Sequence, residues 1–122
     1  MQGGEEVFQV EFYEDDKGSS PAYDFIMGLE NQKLQAKVVG SLEVLAEKGN
    51  MLREPYSKHL EDGIFELRCR VATDIVRLLY FFHEGKLVVV TNGFVKKTQK
   101  TPAKEIALAK QRRKDYLARE GR

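Results

Sequence analysis

At 122 residues, 42% apolar and 32% charged, the chain has the size and composition of one globular domain spanning 1–122, with neither a disordered composition nor an apolar run of the roughly 18 residues a membrane helix needs. The single cysteine, Cys69, excludes an internal disulfide, and the opening Met1–Glu6 lacks an export signal's basic-then-apolar pattern, so the cytoplasm is the expected compartment. The net charge of +1 hides a gradient: residues 1–30 hold eight acids against one base, residues 31–85 eight of each, and residues 86–122 eleven bases against three acids. A basic end of this kind suits a polyanionic partner, or else pairs internally with the acidic end.

Phe8, Val10 and Phe12 alternate with polar residues, which predicts a half-buried first strand. Ser20-Pro21 predicts a helix start, and Ala22, Phe25, Ile26 and Leu29 form its apolar stripe. A second helix follows through Leu34, Val38, Leu42 and Leu45, stopped by Lys48-Gly49. The short junction between them predicts an antiparallel helical hairpin. Phe65, Leu67 and Cys69 alternate with Glu66, Arg68 and Arg70, a strand with two distinct faces. Ile75–Phe82 and Leu87–Val90 are further strands, joined by a hairpin loop with Gly85 at a positive φ. Thr101-Pro102 opens a last helix to about Arg119, with Ala103, Ile106, Ala107 and Leu117 as its apolar side. The expected fold class is therefore α+β: a mostly antiparallel four-stranded sheet packed on an N-terminal helical hairpin, with a C-terminal helix.

The residue types for zinc coordination are missing, since His59 and His83 are isolated and no Cys-x-x-Cys occurs; no metal or other cofactor is expected. Cys69 falls on the apolar side of its strand, as a structural thiol would. The remaining chemistry is basic. If Phe65, Leu67 and Cys69 face the helices, then Arg68 and Arg70 face away, and Arg77 on the next strand can join them. Lys58 and His59 precede these strands; Lys96, Lys97 and Lys100 follow them. Two readings stand at this point. In one, Glu66 and an arginine make a cross-strand pair and the lysines are solvated. In the other, the segments form a concave basic surface that holds a phosphodiester.

Three stretches carry a family resemblance: Gly63-Ile64-Phe65-Glu66-Leu67-Arg68, then Val76-Arg77-Leu78-Leu79-Tyr80-Phe81, then Asn92-Gly93-Phe94-Val95-Lys96-Lys97-Thr98-Gln99-Lys100-Thr101-Pro102. Together with Lys58-His59-Leu60-Glu61-Asp62 before them and the base-rich helix after Pro102, they resemble the phage-derived Gp49-like branch of the RelE/HigB toxin superfamily. The resemblance implies a RelE-like fold and a type II toxin that cleaves messenger RNA, usually on the ribosome. It also implies a small helix-turn-helix antitoxin as partner, with which it could form an oligomer, and no membrane partner. By the same resemblance Arg68 matches the strand arginine at the scissile phosphate. Lys97 matches a basic residue near the leaving group, and Lys58 a basic residue placed to act as base. Arg77 matches a middle-strand slot. Lys96, Lys100 and Arg70 are expected along the RNA, with His59 a reserve for proton transfer. The pattern departs in one place: no tyrosine stands between Thr98 and Lys104, where better-known relatives carry one, and Tyr116 lies well along the last helix. The alternative function is a non-catalytic, phage-derived module that binds nucleic acid or protein through the same basic surface.

Overall fold

The computed structural model describes residues 7–96 and 99–120. Its elements are β1 (Gln9–Phe12), α1 (Pro21–Met27), α2 (Gln32–Lys48), a single 3-10 turn (Gly49–Met51), β2 (Ser57–Glu61), β3 (Ile64–Val71), β4 (Asp74–His83), β5 (Leu87–Val95) and α3 (Ala103–Glu120). The fold is α+β as expected, but the sheet has five strands in the order β1-β5-β4-β3-β2 and is mixed, because β1 runs parallel to β5.

The unexpected strand is β2. Its sequence, Ser-Lys-His-Leu-Glu, has almost no apolar alternation, and only Ser57 is buried. Main-chain pairing to β3 holds it, closed by a turn in which Asp62 and Gly63 both take positive φ, 51° and 78°. Two left-handed residues in sequence match the twist of paired strands, and Asp-Gly is a preferred dipeptide for that turn. The β4–β5 turn repeats the device, with Glu84 at φ 37° and Gly85 at φ 70°. The direction of β1 has a different cause. Alternation tells which residues of a strand face the core, not which neighbour it joins. The meander from β2 to β5 leaves one edge of β5 open. The long connection through α1 and α2 permits β1 to fill that edge in parallel.

Both early helices cover one face of the sheet. Asn31 caps α2 by accepting from the Leu34 N–H at 3.1 Å, and Leu34, Val38 and Leu45 are buried. Each such side chain contributes roughly 1.5–3 kcal/mol when taken out of water. The expected hairpin is only partly realised. α2 packs chiefly on β3 and α1 chiefly on β5, with little contact between the helices themselves. Gly93 explains the seat of α1: a Cβ there would lie 2.6 Å from Leu78 and 2.7 Å from the Phe25 ring, so the strand must be bare at that point.

α3 covers part of the opposite face. Ala109 is fully buried, over the layer that holds Ile64, Leu79, Phe81 and Val89. The expected apolar side of this helix is corrected here: Ala103, Ala107 and Leu117 are exposed, and the helix is held largely by polar contacts. Arg112 donates to the Thr91 carbonyl at 2.9 Å, Arg113 to the Asp62 carbonyl, and Arg119 to the Glu14 carbonyl and to Asp115. Lys110 pairs with Glu61 and Asp62. Tyr13 donates to Asp115 at 2.7 Å, and Tyr116 to Glu11 at 3.1 Å. Much of the charge gradient is thus consumed inside the molecule. No helix among the described residues is long and apolar enough to cross a membrane.

Gly49 ends α2 at φ 54°, ψ −127°, and a Cβ there would lie 1.9 Å from a ring carbon of Phe8. Gly49→Ala is expected to lower stability by about 1–3 kcal/mol, read as a lower urea midpoint at unchanged slope. An unchanged midpoint would contradict the packing of Phe8 against this turn.

Candidate phosphate-binding groove

The half of the second sheet face that α3 leaves uncovered carries the arginines. In β3, Leu67 and Cys69 point to the helices and Glu66, Arg68 and Arg70 point away, as the alternation predicts. Cys69 is fully buried, and burial pushes its thiol pKa up, consistent with a structural role. Arg68 pairs directly with Arg77 across the β3–β4 ladder. Two arginines in register repel unless an anion lies between them. Glu66 supplies it.

The Glu66 side chain is 1% exposed. Its Oε1 accepts from Arg77 Nη1 and from Arg68 Nε at 3.3 Å, and its Oε2 accepts from the Thr101 hydroxyl. Burial alone would raise its pKa. The Thr101 hydrogen bond and the charges of Arg77 and Lys96 outweigh that and bring it below the ordinary value. The cross-strand pair considered from the sequence is therefore real, and it is a three-donor hub. Arg77, 7% exposed, gives its Nη1 to this hub, while its Nε is buried without a hydrogen-bond partner among the described residues. The Arg68 side chain is 26% exposed, and among the described residues only its Nε is engaged, which leaves the terminal guanidinium nitrogens for a ligand.

Two adjoining hollows meet at Arg68 and Gln99. One, of about 220 Å³, is bordered by Lys58, Glu66, Arg68, Lys96, Lys100 and Thr101, among others. The other, of about 450 Å³, is bordered by Lys37, Tyr56, Arg68, Arg70, Ile75 and Arg77. Seven of the eight expected site residues, Lys58, His59, Arg68, Arg70, Arg77, Lys96 and Lys100, therefore border this groove. Lys58 belongs to β2 and pairs across from Glu66, on the groove face. Lys96 is half-buried; burial and the nearby Arg77 charge push its pKa down, and Glu66 opposes them. Lys97 lies outside the described residues.

His59 borders the smaller hollow beside Lys58, with its ring engaged by its own strand's neighbours. It pairs across from Phe65, its ring stands edge-on to Phe65 at 5.0 Å, and its Nε2 accepts the Gly63 N–H at 3.1 Å. Tyr116 is remote, at the β1 edge. Among the groove residues that sequence reasoning missed are Lys37 on α2 and Tyr56 before β2. No periodic pattern marks them, because Tyr56 is on a connection and Lys37 reaches the groove from a helix whose apolar stripe faces elsewhere.

A surface of this kind can hold an anion against a fixed guanidinium without reorganising, since Glu66 has already oriented it. Removing the hub leaves Arg77 buried without a counter-charge, a change on the order of 3–5 kcal/mol. Glu66→Gln is expected to destabilise toward that range at neutral pH. It is also expected to flatten the acid limb. Because the folded-state pKa lies below the ordinary 4.5, the carboxylate adds stability that is full above about pH 4.5 and is lost as pH falls through the lowered value. Urea unfolding of wild type and variant between pH 6 and pH 3 measures both effects; parallel pH curves would contradict them.

No curated protein matches the chain. A family model described as phage-derived protein, Gp49-like (DUF891), matches residues 24–114. That span starts in α1, ends within α3 and contains every residue of the groove, so the chain belongs to the phage-derived Gp49-like family.

Proposed function

We propose that this chain is the toxin of a type II toxin–antitoxin pair, an endoribonuclease that cuts messenger RNA at the Arg68 groove. The observation that carries this reading is the fixed, partly open Arg68 guanidinium within a surface of Lys58, Arg70, Lys96 and Lys100. The family membership and the resemblance to RelE/HigB toxins agree with it. The ribosome as the place of action and a helix-turn-helix antitoxin as partner come with the same reading.

The chemistry uses the substrate's own 2′-hydroxyl. The 2′-oxygen attacks the adjacent phosphorus, the P–O5′ bond breaks, one proton leaves the 2′-oxygen and one reaches the 5′-oxygen. The products are a 2′,3′-cyclic phosphate and a 5′-hydroxyl. Arg68 stabilises the charge that builds on the non-bridging oxygens. Lys58 and Lys96 are the amines at hand for proton transfer, with Lys97 next in sequence. Burial and the Arg77 charge push the Lys96 pKa down, which makes its ammonium a readier proton donor than an ordinary lysine. Glu66 is unsuited to that role, because its oxygens are occupied and its basicity is lowered.

The non-catalytic binding module keeps one observation in its favour. His59 is turned to Phe65 and Tyr116 is held by Glu11 at the far edge, so neither stands over the arginines as a proton acceptor. Induced expression separates the two. The toxin reading predicts growth arrest and RNA fragments with cyclic-phosphate and 5′-hydroxyl ends. It predicts that Arg68→Ala lowers cleavage about 10²–10³-fold while the melting curve stays cooperative. Normal growth on strong expression of folded wild type, with intact RNA when ribosomes are supplied, would favour the binding module.

A further inference from the structure

Tyr56 is 60% exposed and stands at the groove. Its main chain is pinned: its N–H donates to the Arg53 carbonyl at 3.0 Å, and its carbonyl accepts the Arg68 N–H at 2.9 Å. Tyr56 lies in the turn just before β2, whose ladder with β3 begins at Ser57 opposite Leu67. Arg68 is opposed by Arg77. Tyr56, Arg68 and Arg77 border the same hollow.

The other four tyrosines are accounted for by the fold. Tyr13, Tyr80 and Tyr116 each place their hydroxyl against a partner, Asp115, Ser57 and Glu11, and Tyr23 packs edge-on to Phe12. Tyr56 has neither kind of contact among the described residues. A ring left in water next to a fixed guanidinium is the pairing that single-stranded nucleic acid uses: an aromatic face for the base and a cation for its phosphate. The adjoining hollow of about 450 Å³ falls in the usual range of roughly 300–1,000 Å³ for ligand sites.

We infer that Tyr56 is the stacking platform for an unpaired nucleobase of the strand whose phosphate Arg68 holds. This rests on the reading of the groove as a phosphodiester site. It makes the ligand a single strand, because a base inside a duplex cannot turn onto the ring, and it makes recognition tolerant of base identity. Tyr56 contributes its ring face and not its hydroxyl.

The test is binding of a labelled 2′-O-methyl oligonucleotide, which this chemistry cannot cleave, against the same backbone with abasic units. Tyr56→Ala is expected to weaken binding of the base-bearing strand roughly 5- to 100-fold and to leave the abasic strand unchanged. Tyr56→Phe is expected to bind both as wild type does, and the matching duplex to show no dependence on residue 56. Equal binding of the base-bearing strand by wild type and Tyr56→Ala would overturn the inference. So would a Tyr56→Phe variant as weak as Tyr56→Ala. Wild type that binds neither strand, or Arg68→Ala that binds both unchanged, would overturn the phosphate groove itself and the inference with it.

Discussion

One buried carboxylate organises this molecule's second face. Glu66 lies between two arginines in register on neighbouring strands and also accepts from Thr101, the residue that leads into α3. Without an anion there, Arg68 and Arg77 would repel each other across the ladder, and Arg77 could not stay buried. With it, three segments far apart in sequence are tied to one point. The same bonds that settle the strand pairing hold Arg68 at a single orientation beside the groove.

The sheet divides its labour by face. The α1/α2 side is apolar and closed. The other side is split between a layer under α3 and an open strip of arginines. α3 is the most basic helix by composition, yet its arginines are largely turned inward, to carbonyls of Thr91, Asp62 and Glu14. The positive charge available to a ligand is instead that of the groove, contributed by α2, β2, β3 and the segment after β5. Net charge along a sequence is therefore a poor guide to where a polyanion would lie; which charges already have partners decides it.

The core was legible in the sequence because it obeys periodicity. The stripe on α2, the alternation of β3 and the apolar run of β4 each stand where their spacing puts them, and the alternation of β3 correctly placed Arg68 and Arg70 on the face away from the helices. β2 was not legible in that way, because hydrogen bonding to β3 and a positive-φ Asp-Gly turn hold it, not an apolar pattern. The parallel course of β1 depends on which sheet edge remains open, a property of the assembled fold. Tyr56 and Lys37 became groove residues only through the placement of the turn before β2 and of α2. The hub role of Glu66 was half visible: its pairing with an arginine could be read from alternation, while its bond to Thr101 spans 35 residues and required the position of α3.

The proposed function requires that the groove, rather than the basic helix, meet a nucleic-acid backbone. The most direct measurement is the salt dependence of single-stranded RNA binding in wild type, Arg68→Ala and Lys114→Ala, Lys114 being an exposed base of α3. Each phosphate contact to a single strand contributes about 0.7 to the slope of log affinity against log salt. The account predicts a slope reduced by about that amount in Arg68→Ala and unchanged in Lys114→Ala. A slope that falls in Lys114→Ala and holds in Arg68→Ala would contradict it.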